Sequence, residues 1–312
     1  MKIYSSIFDY KVPQNSILTV GTFDGVHIGH RTILEKLNTI AKKEKLTSVI
    51  LTFFPHPRMV LHQDSDIKLI NTIDERVALL KKTGLQNLVI HPFTKDFSRL
   101  TALEYVRDIL VGQFHIKKII VGYDHHFGRN RAATLSDLKE FGDTFGFEVI
   151  EITAQQSDNI AISSTKIRTA LLQGDVNTAN TYLGYKFMLT GTIVAGQGMG
   201  KKLGFPTANI SIKEDYKIIP KQGVYIVQAT IDNKTVYGIT NIGNNPTVGG
   251  KETTIETHFL DFSNSLYAKT ITIHFLKRIR NEVKFSSIHV LKKAISNDAI
   301  FARNYIKSIL KK

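Results

Sequence analysis

The order of apolar and polar positions divides the chain into two grammars. From Ser16 onward, short β-branched runs alternate with stretches of helical period. "SILTVGTF" reads as a strand, and "HRTILEKLNTIAKK" then sets Ile33, Leu34, Leu37, Ile40 and Ala41 on one helical face. "TSVILTFF", "LQNLVIHPF", "KKIIVGYD" and "FEVIEIT" read as further strands, with "TIDERVALLKKTG", "TALEYVRDILVG" and "TLSDLKEFGDTFG" as the helices between them. Such alternation predicts a parallel sheet covered by helices on both faces.

After about Tyr185 the period falls to two. "KFMLTGTIVAG", "GVYIVQATI", "KTVYGITNI", "TIETHFLDF" and "KTITIHFLKRI" read as antiparallel strands, and Asp232-Asn233 separates two of them as a hairpin turn does. A small barrel is expected, followed by two closing helices over residues 286–295 and 298–310, the second with Ile300, Phe301, Tyr305 and Ile309 at helical spacing. The fold class is therefore α/β followed by β, with domains at 1–184 and 185–312. That boundary rests on the change of period and on "LLQGDVNTANTYLGY", since no repeat or low-complexity linker marks it.

Length and composition narrow the function. A chain of 312 residues has room for two domains. Zero cysteines exclude disulfides, thiolate metal sites and cysteine nucleophiles, and fit a reducing compartment. "MKIYSSIFDYKVPQ" lacks the apolar core of a signal peptide, and no apolar run approaches the roughly 18 residues of a membrane helix, so a cytoplasmic protein without a membrane partner is expected. The 41 Lys+Arg against 27 Asp+Glu give a net charge of +14, which favours an anionic partner. The basic residues come as scattered pairs such as Lys42-Lys43 and Lys292-Lys293, Trp is absent and no RNP-like aromatic cluster occurs. A nucleotide is thus expected before a nucleic acid, with a single-strand RNA platform as the alternative from another class.

Two stretches carry candidate chemistry. "GTFDGVHIGH" (Gly21–His30) lies between the first strand and the first helix, where the carboxyl edge of a parallel sheet places ligands and a helix N-terminus attracts phosphate. His27 and His30 can donate hydrogen bonds to charge building on a phosphate, with Gly29 allowing close backbone approach. "GQGMGKKLGFPTANI" (Gly196–Ile210) is a glycine-dense loop but no Walker loop, because Lys202 follows Lys201. In it Thr207 and Asn209, two apart on an extended segment, face one side and offer hard oxygens suited to Mg²⁺ with phosphate. His125 and His126 are adjacent, so on a strand their side chains diverge, and no metal site is expected there.

"GTFDGVHIGHRTIL" resembles the H-x-G-H signature of the nucleotidyltransferase superfamily. With "TFFPHP", "VGYDHHFGRNR" and "SSTKIRTALLQGDV" it is similar to the FMN adenylyltransferase module of bacterial FAD synthetases. From Tyr185 on, "LGFPTAN", "GVYIV", "NIGNNPTV", "IETHFLDF" and "LYAKTITIHFLKRIRNEVKF" resemble riboflavin kinase. The resemblance implies a Rossmann-like nucleotidyltransferase sheet followed by a kinase barrel. Riboflavin and ATP would give FMN in the barrel, and FMN and a second ATP would give FAD and pyrophosphate in the first domain, with Mg²⁺ in both steps.

The resemblance also implies roles. In adenylyl transfer, His27, His30 and Arg168 are catalytic, and Gly21, Phe23, Asp24, Gly25, Gly29, Ser164 and Thr165 complete the ATP site. Phe54, Pro55, His56, Pro57, Asp124 and Phe127 border the flavin. In the kinase, Gly198, Gly200, Lys202, Gly204, Pro206, Thr207 and Asn209 take Mg-ATP, with Thr207 and Asn209 on the metal. Glu256 activates the ribityl hydroxyl, and Arg280, Glu282 and Phe285 cover the flavin. The chain departs from the family pattern at His125, where phenylalanine is usual, and at Asn281, where an acidic residue is common. Small-molecule partners and a monomer or weak homo-oligomer are expected.

Overall fold

The alternating first half forms a six-stranded parallel sheet. This computed structural model describes residues 1–61, 66–122, 125–152, 162–196, 198–247 and 250–311. Strands β1 (Lys2–Tyr4), β2 (Ser16–Val20), β3 (Thr47–Phe53), β4 (Asn87–His91), β5 (Ile116–Gly122) and β6 (Glu148–Ile152) lie in the order β1-β4-β3-β2-β5-β6. Every pairing is parallel. β1, too short to show a period, joins the sheet at its edge beside β4. Both faces are covered. Leu18, Val49, Leu51, Val89 and Ile119 pack in one apolar cluster, while Ile17, Ile50, Leu88 and Ile120 pack in another with Leu34, Leu37 and Ala41 of α1 (Ile28–Glu44). This is why the strands read as continuous apolar runs and not as alternations.

The remaining helices of this half are α2 (Pro57–Leu61), α3 (Ile73–Lys81), α4 (Ala102–Glu104) and α5 (Leu135–Phe145). Thr72 and Glu75 close a capping box at the start of α3. The predicted helix at 102–111 is α only over its first turn and runs on as a π-helical stretch, Tyr105–Val111.

The second half closes into an antiparallel barrel. Strands β7 (Met188–Val194), β8 (Ala208–Ser211), β9 (Gly223–Ile231), β10 (Lys234–Thr247), β11 (Gly250–Phe259) and β12 (Thr270–Arg280) run in the order β10-β11-β8-β7-β12-β9. Asp232 and Asn233 both take positive φ in the two-residue turn between β9 and β10, the geometry that suits the twist of a tight hairpin. The glycine-dense loop contains a helical turn, α8 (Met199–Leu203), with left-handed Gly198 and Gly204 at its two ends.

The two expected closing helices are one, α9 (Ile288–Leu310), which lays Ala299, Ala302 and Ile306 on Ile226, Ile239 and Leu276 of the barrel. Ser296-Asn297-Asp298 has the composition of a break, but neither Gly nor Pro interrupts the backbone. Ser296 Oγ bonds back to the Lys292 carbonyl at 3.0 Å, and the Asp298 carboxylate is taken up by Arg280.

The chain forms two compact units, Met1–Ser164 and Thr165–Lys312, so α6 (Ser164–Gln173) and α7 (Val176–Leu183) belong almost wholly with the barrel. The reason is local. Asn180 of α7 donates to the Phe275 carbonyl at 2.9 Å and accepts from the Phe187 amide at 2.6 Å, and Lys221 N–H donates to the Leu171 carbonyl of α6. Replacing Asn180 by Ala strands two backbone groups and should lower the stability of the second unit by about 1–3 kcal/mol. A denaturant midpoint for that unit unchanged from wild type would show that this bridge does not hold α7.

Candidate active sites

In the first unit, the turn between β2 and α1 is pinned from beneath by a buried carboxylate. Asp24 is fully buried and accepts the Ile70 amide on both oxygens at 3.0 Å and the Asn71 amide at 3.2 Å. The Arg76 guanidinium, also buried, lies 3.5 Å away, so the charge is both paired and hydrogen-bonded. Ser164 Oγ donates to the Asp24 carbonyl at 2.8 Å. The backbone around it is tightly wound, with positive φ at Phe23, Gly25 and Val26. Gly25, at φ 89°, occupies a conformation that glycine alone adopts at no steric cost. Asp24 therefore shapes this turn from below.

The turn delivers two imidazoles to the N-terminus of α1. His27 is the N-cap, and its Nδ1 accepts the His30 amide in a long 3.4 Å bond. Acceptance at Nδ1 puts the proton of a neutral ring on Nε2. The His27 and His30 rings stack at 3.6 Å between centroids, 17° from parallel, and Phe23 packs on His30 at 5.0 Å. His30 is held well below the ordinary histidine pKa by burial first, then by His27 and by Arg76. Its Nδ1 is buried with no hydrogen-bond partner among the described residues. Two neutral, donor-bearing rings at the positive end of a helix suit a phosphate.

Phe54 to Pro57 follow the carboxyl end of β3, and Phe127 comes after that of β5. Phe54 is half-buried, Pro55 exposed and His56 buried, its Nδ1 accepting the Arg58 amide at 3.1 Å. Pro57 opens α2. The Phe54-Pro55 peptide bond is cis. Phe127 is buried against Tyr105 and Phe141, and so contributes to the core. His125 lies nearly parallel to it at 5.8 Å, a flat ring where the family pattern has a phenyl. Asp124 lies outside the described residues. Thr165, exposed, and Arg168, half-buried, sit in the first turns of α6 in the second unit.

The barrel holds a cavity of about 310 Å³ at one mouth. Gly198, Gly200, Thr207, Asn209, Glu256, Arg280, Glu282 and Phe285 all line it, so residues distant in sequence meet there. Asn209 pairs with Glu256 across β8 and β11, and Thr207 Oγ1 donates to Glu256 Oε2 at 3.3 Å. Hard oxygens from a hydroxyl, an amide and a carboxylate thus converge, while no cluster of three His, Cys, Asp or Glu able to hold a metal occurs among the described residues. Such a donor set fits a cation bound mainly through phosphates. Gly204 and Pro206 stay out of the wall and shape the turn behind it, and the Lys202 side chain lies outside the described residues.

Arg280 makes a forked pair with Asp298 of α9, with Nε 3.0 Å and a terminal nitrogen 2.8 Å from its oxygens, and stacks over Phe285 at 5.5 Å. It thereby ties the strand after the cavity to the closing helix.

Three residues here escaped the sequence reading. Arg76 sits in "TIDERVALLKK" among residues with the composition of a solvated face. Asp298 stood only as the first residue of the second expected closing helix. His258 was hidden inside "IETHFLDF", although its spacing of two from Glu256 was a usable signal.

His91, like His30, is held below the ordinary value, by burial. Both therefore stay neutral in the folded chain while the unfolded chain takes up protons as pH falls through about 6.5. Their contribution to stability is present above that pH and is lost below it. Hydrogen exchange in α1 and β4, corrected for intrinsic rates, should show weaker protection near pH 5.5 than near pH 7.5. Equal protection at the two values would contradict neutral buried rings.

Comparison with known proteins agrees with the two-part reading of the chain. Residues 9–166 match the FAD synthetase family and residues 183–306 the riboflavin kinase family. The chain is 36% identical over 314 residues to the bifunctional riboflavin kinase/FMN adenylyltransferase of Buchnera aphidicola subsp. Schizaphis graminum, covering 99% of this chain and 100% of that protein. The Escherichia coli K12 protein of the same name is 33% identical over 308 residues, 98% of each chain. A crystal structure titled as a macrolide-efflux protein from Streptococcus pneumoniae superposes with a TM-score of 0.88 at 31% identity, over 97% of this chain and 98% of that one. Among the described residues here no helix is long and apolar enough to cross a membrane. With two family models in order along the chain and full-length relatives above 30% identity, this protein belongs to the bifunctional riboflavin kinase/FMN adenylyltransferase family.

Proposed function

We propose that the stacked histidines serve adenylyl transfer to FMN and that Glu256 is the base of riboflavin phosphorylation. The observation that carries the reading is the pair of stacked imidazoles at the α1 N-terminus. In the first step the Nε2–H of His27 and the His30 ring stabilise negative charge growing on the phosphates of ATP as the FMN phosphate displaces pyrophosphate. Ser164 supports the turn through the Asp24 carbonyl. For Thr165 and Arg168 the support is the sequence motif, in which Arg168 offers a permanently charged fork to phosphate oxygens. The flavin-side roles of Phe54, Pro55, His56, Pro57 and Asp124 rest on the same resemblance.

In the barrel, Glu256 takes the proton of the ribityl hydroxyl as that oxygen attacks the terminal phosphate, and positioning supplies the rest. Thr207 and Asn209 would hold Mg²⁺ together with the nucleotide phosphates. When bound, that ion neutralises phosphate charge. Glu282, whose carboxylate lies against Gly243, and Phe285 flank the flavin. The domains expected at 1–184 and 185–312 own one step each. A cytoplasmic monomer or weak oligomer acting on small molecules completes the proposal.

Glu256→Gln should cut FMN formation from riboflavin about a hundredfold or more while leaving FAD formation from added FMN within about twofold. His27→Ala should do the reverse, losing about a hundredfold in FAD formation, so that FMN accumulates. Chromatography of both products decides. Mixing the two variants should restore FAD, and a folded variant of either kind that abolishes both steps would end the division.

A further inference from the structure

On β11 side chains alternate, so Glu256 and His258 both face the barrel cavity, while Thr257 between them is fully buried and meets Thr240 at 2.7 Å. His258 Nδ1 lies 2.9 Å from the Pro206 carbonyl oxygen. A carbonyl can only accept, so Nδ1 carries the proton. The Phe205 ring meets the imidazole edge-on at 5.4 Å.

Pro206 leads directly into Thr207, whose hydroxyl reaches Glu256 only through the 3.3 Å bond. β11 thus grips the 205–209 turn at two successive points, through His258 to Pro206 and through Glu256 to Thr207. The far side is closed by Gly200. A Cβ there would collide with the Phe205 carbonyl oxygen and stand 3.0 Å from Thr207 Oγ1, so glycine lets the turn sit so near. Without the His258 donor, the backbone pairing of β8 with β11, the Phe205 amide bond to the Gly200 carbonyl and the long Thr207–Glu256 bond are what remain to place the turn.

We propose that His258 is a positioning residue of the kinase step, which by holding the Pro206 carbonyl sets the Thr207 and Asn209 oxygens relative to Glu256 for Mg-ATP. The proposal rests on the reading of Thr207 and Asn209 given above. It makes His258 responsible for nucleotide use and leaves the proton transfer to Glu256.

Two full-length variants test it. His258→Asn keeps a donor at nearly the reach of Nδ1, whereas His258→Phe keeps the ring and its contact with Phe205 but donates nothing. In riboflavin phosphorylation, His258→Phe should raise the KM for Mg-ATP about fivefold to tenfold, the weight of one net hydrogen bond, with kcat within about twofold. His258→Asn should return KM to within about twofold of wild type, and FAD formation from added FMN should be the same in all three proteins. Wild-type KM in His258→Phe overturns the proposal, as does equal impairment of both variants, which would mean packing alone. A loss confined to kcat overturns it in favour of direct chemistry. Should His258→Phe fail to fold, nitrogen-15 NMR of the wild-type histidines decides, since an Nε2–H tautomer at His258 contradicts the bond to Pro206. A Thr207→Val variant with unaltered Mg-ATP dependence would instead remove the underlying reading of the turn.

Discussion

A carboxylate with no exposure to water must be matched on every side, and Asp24 is matched by two backbone amides and one guanidinium. That requirement fixes much of the first unit. The amides come from residues 70 and 71, just ahead of α3, and Arg76 comes from its first turns, so the start of α3 is bound to the turn before α1. The strained φ values of Phe23 and Val26 persist because this network holds them. The consequence is chemical. With its turn locked, α1 begins at a set place with His27 as its cap, and the two rings stack at the positive end of the helix. Arg76 acts twice, neutralising Asp24 and disfavouring a second positive charge on His30.

The barrel gathers its candidate groups by strand register. Pairing of β8 with β11 carries Asn209 to Glu256 through backbone register, and side-chain bonds then refine the turn. The charged fork, Arg280 with the buried Asp298, stands in the cavity wall, where β12 hands over to the residues that lead into α9. Both units place their reactive groups on rigid elements and let turns do the fine adjustment.

Much of this was legible in the chain. Periods of two and of 3.6 gave both architectures, and "GTFDGVHIGH" marked a candidate site by its place between a strand and a helix, as "PTAN" did by two oxygens two residues apart on an extended segment. What stayed hidden depends on tertiary partners. Ser296 and Asp298 have the local chemistry of a helix break, and only the Arg280 fork reveals why α9 continues through them. Arg76 looks like a solvated residue of a short helix until the sheet edge buries it. The division of the chain fell at a change of period near Tyr185, yet α6 and α7 pack with the barrel, through bonds such as that of Asn180 to Phe275, which no periodicity encodes.

The central claim is that the buried charge of Asp24 holds the adenylyl-transfer turn in working order. Asp24→Asn keeps the shape, removes the charge and leaves Arg76 without its counter-ion. Measured in the full-length protein, FAD formation from FMN should fall about a hundredfold or more, while riboflavin phosphorylation in the same sample stays within about twofold of wild type. FAD formation near the wild-type rate in that variant would contradict the account, because the histidine pair would then be standing without the carboxylate beneath it.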